Sequence, residues 1–275
     1  MSKFSVRSLL DKFSKPQKDV HYIELDETNS TNDYVKSLLA TLDGVEPEPR
    51  LTVAYTDYQT GGRGQGTNTW ESERGKNLLF SILCHPVWVP IQSQFIISEA
   101  IALALRDALS AITPDITIKW PNDIYWRDRK LCGILLELSL KGSGIDYMVA
   151  GVGLNVNQEQ FVSDAPNPVS LKQITGSDTD LDALLRDVCS RIEQLCAQCA
   201  KGHDAVEALH RRYLGKLYRN DGKPHPFALP GGERFEATIS NVMADGMLVL
   251  RRMASGQEHT YAFKEVSHVI DSRVL

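Results

Sequence analysis

Apolar and polar positions follow two different periods along this chain, and the changes of period divide it into elements. Residues 21–25 form a short apolar run that predicts a strand. Tyr34, Val35, Leu38, Leu39 and Leu42 then recur at helical spacing. Ser30 followed by Asp33 resembles a capping box just ahead of them. Ser30 and Thr31 are therefore expected at a helix N-terminus, where outward-facing amides favour acceptor-rich ligands. Strand character returns at 51–55 and 78–84, and residues 94–112 predict a long amphipathic helix carrying Phe95, Ile97, Ile101, Leu105 and Leu109. Three short runs at 116–120, 124–126 and 131–138, separated by turn-forming residues, predict an antiparallel meander. A further strand is expected over 147–155, and helices over 181–200 and 204–214.

From about Tyr218 prolines and glycines precede short alternating runs at 235–239, 247–250 and 260–263, which predict a small all-β unit. The organisation expected is an extension over 1–20, an α+β domain over 21–216 and a β module over 217–275. Residues 1–20 carry no convincing period, and 44–49 reads as the exit loop of the first helix. Residues 56–76 also lack a period, and loops of that length in compact domains usually serve function.

Length and composition narrow the function classes. The chain has 275 residues, 42% hydrophobic and 24% charged, enough to bury a core without disulfide staples. A net charge of −5 argues against broad, charge-driven nucleic-acid binding. No stretch approaches a clean membrane span or a secretory leader, so a cytoplasmic location is expected. Five scattered cysteines read as reduced thiols. Cys196 and Cys199 form a C-x-x-C on a predicted helix that also carries Leu185, Val188, Ile192 and Leu195, which makes them small buried hydrophobes rather than ligands.

Four segments could carry chemistry. Gly61, Gly62, Gly64 and Gly66 surround Arg63 and Gln65 and lead to Trp70. Glycines let backbone amides approach a ligand, and the arginine can hold a carboxylate or phosphate. The spacing fits neither a phosphate-binding P-loop nor a dinucleotide fingerprint, and a flexible surface loop is the plain alternative. Lys119-Trp120-Pro121-Asn122-Asp123 sets a cation, an amide and a carboxylate at the lip of a strand, able to serve Mg²⁺ or phosphates, or simply to turn the chain. Lys130 precedes an apolar strand containing Gly133, placed to meet an anion entering an apolar pocket or to remain a solvated hairpin lysine. Gly151 and Gly153 fall on one face of a strand and would leave a flat slot there, or a bend.

In this order and spacing the four segments resemble the catalytic core of the biotin–protein ligases (biotin–[acetyl-CoA-carboxylase] ligases), over roughly residues 21–214. The resemblance implies a mixed, mostly antiparallel sheet flanked by helices, similar to class II aminoacyl-tRNA synthetases, followed by a small SH3-like β-barrel. It implies a reaction in which biotin and ATP, with Mg²⁺, form biotinyl-5′-AMP. The biotinyl group then passes to a lysine of a biotin carboxyl carrier protein domain of acetyl-CoA carboxylase or a related carboxylase. By resemblance, Ser30, Thr31, Asn32 and Gln59 contact biotin. Gly62, Arg63, Gly64 and Gln65 close over the adenylate, and Trp70 packs on adenine. Lys119, Asn122 and Asn155 meet the nucleotide, and Asn122 with Asp123 meets the metal. Lys130 meets the biotin carboxylate, Gly133, Gly151 and Gly153 line the biotin slot, and Asp123 orients or deprotonates the acceptor lysine.

Two departures from the family pattern carry consequences. Many members have a second arginine where this chain has Gln65, so a weaker grip on the adenylate is expected. Bifunctional members carry an N-terminal DNA-binding domain, for which the residues before the ligase core are too few, so no DNA and no membrane partner is expected, while a homodimer is possible. Lipoate–protein ligases and octanoyl transferases share the fold and are the nearest alternative, and a non-catalytic biotin- or nucleotide-binding regulator is the alternative of another class.

Overall fold

The computed structural model describes residues 20–39, 51–142, 144–163, 165 and 167–270. The extension before residue 20, the expected exit loop at 44–49 and Pro166 lie outside the described residues.

Seven strands form one sheet: β1 (Val20–Thr28), β2 (Leu51–Gln59), β3 (Leu78–Cys84), β4 (Ile116–Lys119), β5 (Asp123–Trp126), β6 (Arg129–Lys141) and β7 (Gly144–Leu154). Their order is β1-β2-β3-β7-β6-β5-β4. β1 and β2 run parallel and every other neighbouring pair is antiparallel. A parallel pair needs a crossover, which begins with helix α1 (Thr31–Leu39).

Two expectations change here. β2 continues to Gln59 because Leu25, Glu27 and Thr28 of β1 pair with Thr56, Tyr58 and Gln59. The loop therefore starts at Thr60 rather than Thr56. Helix α1 starts at Thr31, and Asp33 turns to Arg63, 2.8 Å away, instead of back to the helix end.

The sheet is covered on both faces, so β3 is buried at every position and is apolar except for Ser81. Alternation sends Phe80, Ile82, Ala150, Val152 and Leu154 into the main core with helix α2 (Phe95–Ser110) and helix α4 (Leu181–Cys199). On the opposite face Leu83, Val149 and Ala54 pack with Val35 of α1 in a smaller cluster. A short helix α3 (Leu171–Thr175) opens with a capping box between Ser170 and Gln173, and helix α5 (His203–Leu214) closes the helical layer. All five cysteines are free, and burial pushes the Cys84 thiol up to about 12.

The second sheet holds β8 (His225–Ala228), β9 (Arg234–Val242), β10 (Leu248–Arg252), β11 (Glu258–Tyr261) and β12 (Ser267–His268), in the order β11-β10-β9-β8-β12. It is antiparallel and compatible with an SH3-like module. Trp120, in the turn after β4, donates its indole N–H to the Gly246 carbonyl at 2.9 Å and packs its ring 5.8 Å from that of Phe263. No helix among the described residues is long and apolar enough to cross a membrane.

Candidate active site

The central strands β3, β7 and β6 pave the floor of a cavity of about 940 Å³, within the range of small-molecule sites. In register across these strands stand Leu79, Gly153 and Gly133, then Ser81, Gly151 and Leu135, then Leu83, Val149 and Glu137. The bare positions are filled by neighbours. A Cβ on Gly151 would fall inside the Asn32 carboxamide, and one on Gly153 inside the Trp70 indole. A Cβ on Gly133 would come within 2.8 Å of the same indole. Gly151 therefore backs the helix end, and Gly133 and Gly153 back Trp70.

The N-terminus of α1 lies over Gly151. Ser30, Thr31 and Asn32 are all buried. Gln59 captures the Thr31 amide at 2.8 Å, taking one of the orphan donors of the helix start. Ser81 donates to Asn32 Oδ1 at 2.5 Å, and its oxygen lies 2.7 Å from the Thr31 hydroxyl. Asn32 Nδ2 donates to Glu137 at 2.7 Å, and Lys36 donates to the other Glu137 oxygen at 2.7 Å. Burial works to raise the Glu137 pKa, but the hydrogen bonds from Lys36 and Asn32 overcome it and hold the carboxyl below the usual range.

The glycine-rich loop folds back over this floor. Gly64 N–H meets the Asn68 carbonyl at 2.7 Å and Trp70 N–H meets the Gly62 carbonyl at 3.0 Å, so Arg63 and Thr69 form a bridge in a small hairpin. Arg63 spans Asp33 at 2.8 Å and Glu137 at 3.3 Å. Arg63, Gly64, Gln65 and Trp70 line the cavity, whereas Gly62 stands behind them against the Trp70 carbonyl. The Trp70 indole nitrogen is buried without a partner among the described residues.

At the other end, Lys130 pairs with Asp123 at 2.8 Å, and both line the cavity. Asn122 lines it too and donates to Ser98 of α2 at 3.0 Å. Asn155 donates to the Val169 carbonyl at 3.1 Å and keeps a buried carbonyl oxygen unpaired among the described residues. Lys119 does not line the cavity. Its ammonium lies 5.3 Å from the centre of the Tyr125 ring, and burial lowers its pKa against the pull of Asp123.

The structure thus gathers Ser30, Thr31, Asn32, Gln59, Arg63, Gly64, Gln65, Trp70, Asn122, Asp123, Lys130, Gly133, Gly151, Gly153 and Asn155 around one cavity. It adds residues that the sequence pattern passed over. Ser81 is the one polar residue of β3, and Glu137 interrupts the apolar stretch of β6, a signal that was present. Ser98, Phe161 and Phe263 also line the cavity or hold a lining residue, and no local pattern marks them.

Comparison with known proteins places this geometry. The sequence model described as the biotin/lipoate A/B protein ligase family matches residues 25–155. The biotin–[acetyl-CoA-carboxylase] ligase of Mycobacterium tuberculosis is 33% identical over 234 residues, covering 82% of this chain and 80% of that protein. The bifunctional ligase/repressor BirA of Bacillus spizizenii is 31% identical over 176 residues, 61% of this chain and 51% of its own length. The match therefore spans about half of that bifunctional relative. Among solved structures, the biotin protein ligase from Aquifex aeolicus in complex with biotin and ATP superposes with a TM-score of 0.71 at 24% identity, covering 90% of this chain and 97% of that one. At that identity the structural likeness speaks to the fold.

Proposed function

The chain belongs to the biotin/lipoate A/B protein ligase family, and from that membership we infer that it is a biotin–protein ligase. It uses ATP to attach biotin to one lysine of a biotin carboxyl carrier domain. The observation that carries this reading is one cavity in which a glycine-bearing floor under Trp70 and Asn32, a polar helix end, a lysine–aspartate pair and an arginine-bearing loop converge. An apolar ring with a polar urea and an acidic tail needs those surfaces together.

The biotin ring lies in the cavity beside the Trp70 indole and the Asn32 carboxamide that cover the glycines, with its urea among Ser30, Thr31, Asn32 and Gln59. Its carboxylate points to Lys130. In the first step a carboxylate oxygen attacks the α-phosphorus of ATP. An acyl–phosphate bond forms, the bond to the β-phosphate oxygen breaks, and pyrophosphate leaves. Two anions must meet, so fixed positive charge is the main catalytic resource. Lys130 and Arg63 supply it at the cavity, and Lys119 adds to the field from behind Tyr125. The unpaired Asn155 carbonyl suits an amino group of the nucleotide base. In the second step the neutral amine of the carrier lysine attacks the acyl carbon and AMP departs. Asp123 is placed to take or orient the released proton.

Asn122 and Asp123 are the candidate magnesium donors. One carboxylate and one amide suit an ion that keeps its waters and is held mainly by substrate phosphates. Among the described residues no group of three or more His, Cys, Asp or Glu forms a caged site. When bound, the ion supplies neutralising charge to the pyrophosphate.

The test is incubation with biotin, MgATP and a carrier domain, followed by a streptavidin blot. The expected result is labelling that needs ATP and disappears when the carrier lysine is changed to arginine. An unlabelled carrier, or acylation by lipoate or octanoate in place of biotin, overturns the reading.

A further inference from the structure

The structure assigns Glu71 a positioning role in the ligase reaction: it joins the Trp70 limb of the glycine-rich loop to residues 158–163, making the two loops one roof. This inference rests on the reading above. Glu71 follows Trp70 directly. One carboxylate oxygen accepts from the Val162 amide at 2.8 Å and the other from the Ser163 amide at 2.9 Å. The Gln158 amide adds a longer bond at 3.4 Å. Both oxygens are thus taken by the opposing loop rather than left for a substrate, although Glu71 stands at the cavity wall beside Phe161 and Ser163.

The rest of the seam is polar too. Gln158 Oε1 accepts from the Glu73 amide at 3.0 Å and from Asn77 at 2.5 Å, and the Asn157 amide meets the Lys76 carbonyl at 2.7 Å. Little apolar packing supports its outer end, where Val162 is 88% exposed. Removing the carboxylate frees amides that water can satisfy, so folding loses little. The roof loses its join at the residue next to the indole that covers Gly133 and Gly153. Burial pulls the Glu71 pKa up, but hydrogen bonds from Ser163 and Val162 hold it below the usual value, so the join persists at neutral pH.

The experiment compares the unaltered chain with Glu71→Ala, Glu71→Gln and Ser163→Pro, the last removing an amide donor while leaving the carboxylate. Biotin-dependent ATP–pyrophosphate exchange, melting temperature and biotinyl-AMP escaping into solution per carrier labelled are measured. Expected for Glu71→Ala is a rise of about tenfold in KM for ATP, equivalent to ~1.4 kcal/mol. Escape of biotinyl-AMP rises with it, while kcat for exchange and the melting temperature hold. Glu71→Gln, which keeps one acceptor, falls between. The double variant Glu71→Ala/Ser163→Pro is no worse than either single change, because both break one join. Unchanged KM and retention in Glu71→Ala, or additive losses in the double variant, overturn the inference while the active parent leaves the ligase reading standing. Absence of exchange in the unaltered chain overturns that reading and this inference with it.

Discussion

The floor and the roof of the cavity are built by opposite means. The floor is the middle of a sheet, backed by fully buried Phe80, Ile82 and Ala150, and shaped by side chains that are missing at Gly133, Gly151 and Gly153. The roof has little core. Arg63 holds Asp33 and Glu137 through groups that are 31–46% exposed, and such pairs contribute little stability singly. Shape on the floor is therefore set by close packing, where one added carbon is felt. Closure at the roof is set by exchangeable charges, which can trade a carboxylate partner for a phosphate. Substitutions should separate the two regions, with floor changes abolishing binding or chemistry and roof changes tuning retention.

The largest effect is expected at the edge of the floor. Lys130→Met removes the cation beside Asp123 and should slow biotin-dependent pyrophosphate exchange by the equivalent of ~3–4 kcal/mol of barrier. A loss no larger than that of a roof variant would break the comparison. Next comes Gly151→Ala, whose methyl group must displace the Asn32 carboxamide. Overpacking of this kind costs ~1–3 kcal/mol. That cost falls on folding, and the displaced Asn32 should also weaken biotin binding, read by calorimetry on the folded variant; unchanged affinity would remove Gly151 from the biotin surface. On the roof, Gln65→Arg should lengthen the lifetime of bound biotinyl-AMP in a filter-release assay, and an equal release rate would refute that role.

The smallest effect is in pH. Glu137 titrates lower in the folded protein than in the unfolded chain. Its contribution is present above the ordinary carboxylate range of ~4.3 and is lost as pH falls through the folded value. Urea melts should show stability declining on acidification more steeply in the unaltered chain than in Glu137→Gln. Parallel slopes would mean the Asn32, Lys36 and Arg63 contacts do not bias its titration.

The same contrast decides what was legible in the sequence. Gly151 and Gly153 announce a bare strip because strand side chains alternate, and the buried strands and long helices follow from apolar period. Residues 56–59 were not legible as strand, since their pairing with β1 is a tertiary fact and their polarity mimics a loop. Ser81 reaches residues 49 and 50 positions away, so its serine stood out in β3 without a stated purpose. Lys119 stands opposite Asp123 and on the same face as Tyr125, yet its ammonium packs on that ring and stays out of the cavity lining, a placement that no local pattern encodes. Glu71, 91 and 92 residues before its amide donors, depends on a meeting of two loops that no local pattern encodes.

The most direct measurement is ATP–pyrophosphate exchange with biotin, lipoate or octanoate offered to the unaltered chain and to Gly151→Ala. Label should enter ATP with biotin alone, and the variant should need more biotin for half-maximal exchange. Exchange independent of biotin, equal exchange with lipoate or octanoate, or an unaltered biotin requirement in the variant would contradict a glycine-paved floor that presents this vitamin's carboxylate to ATP.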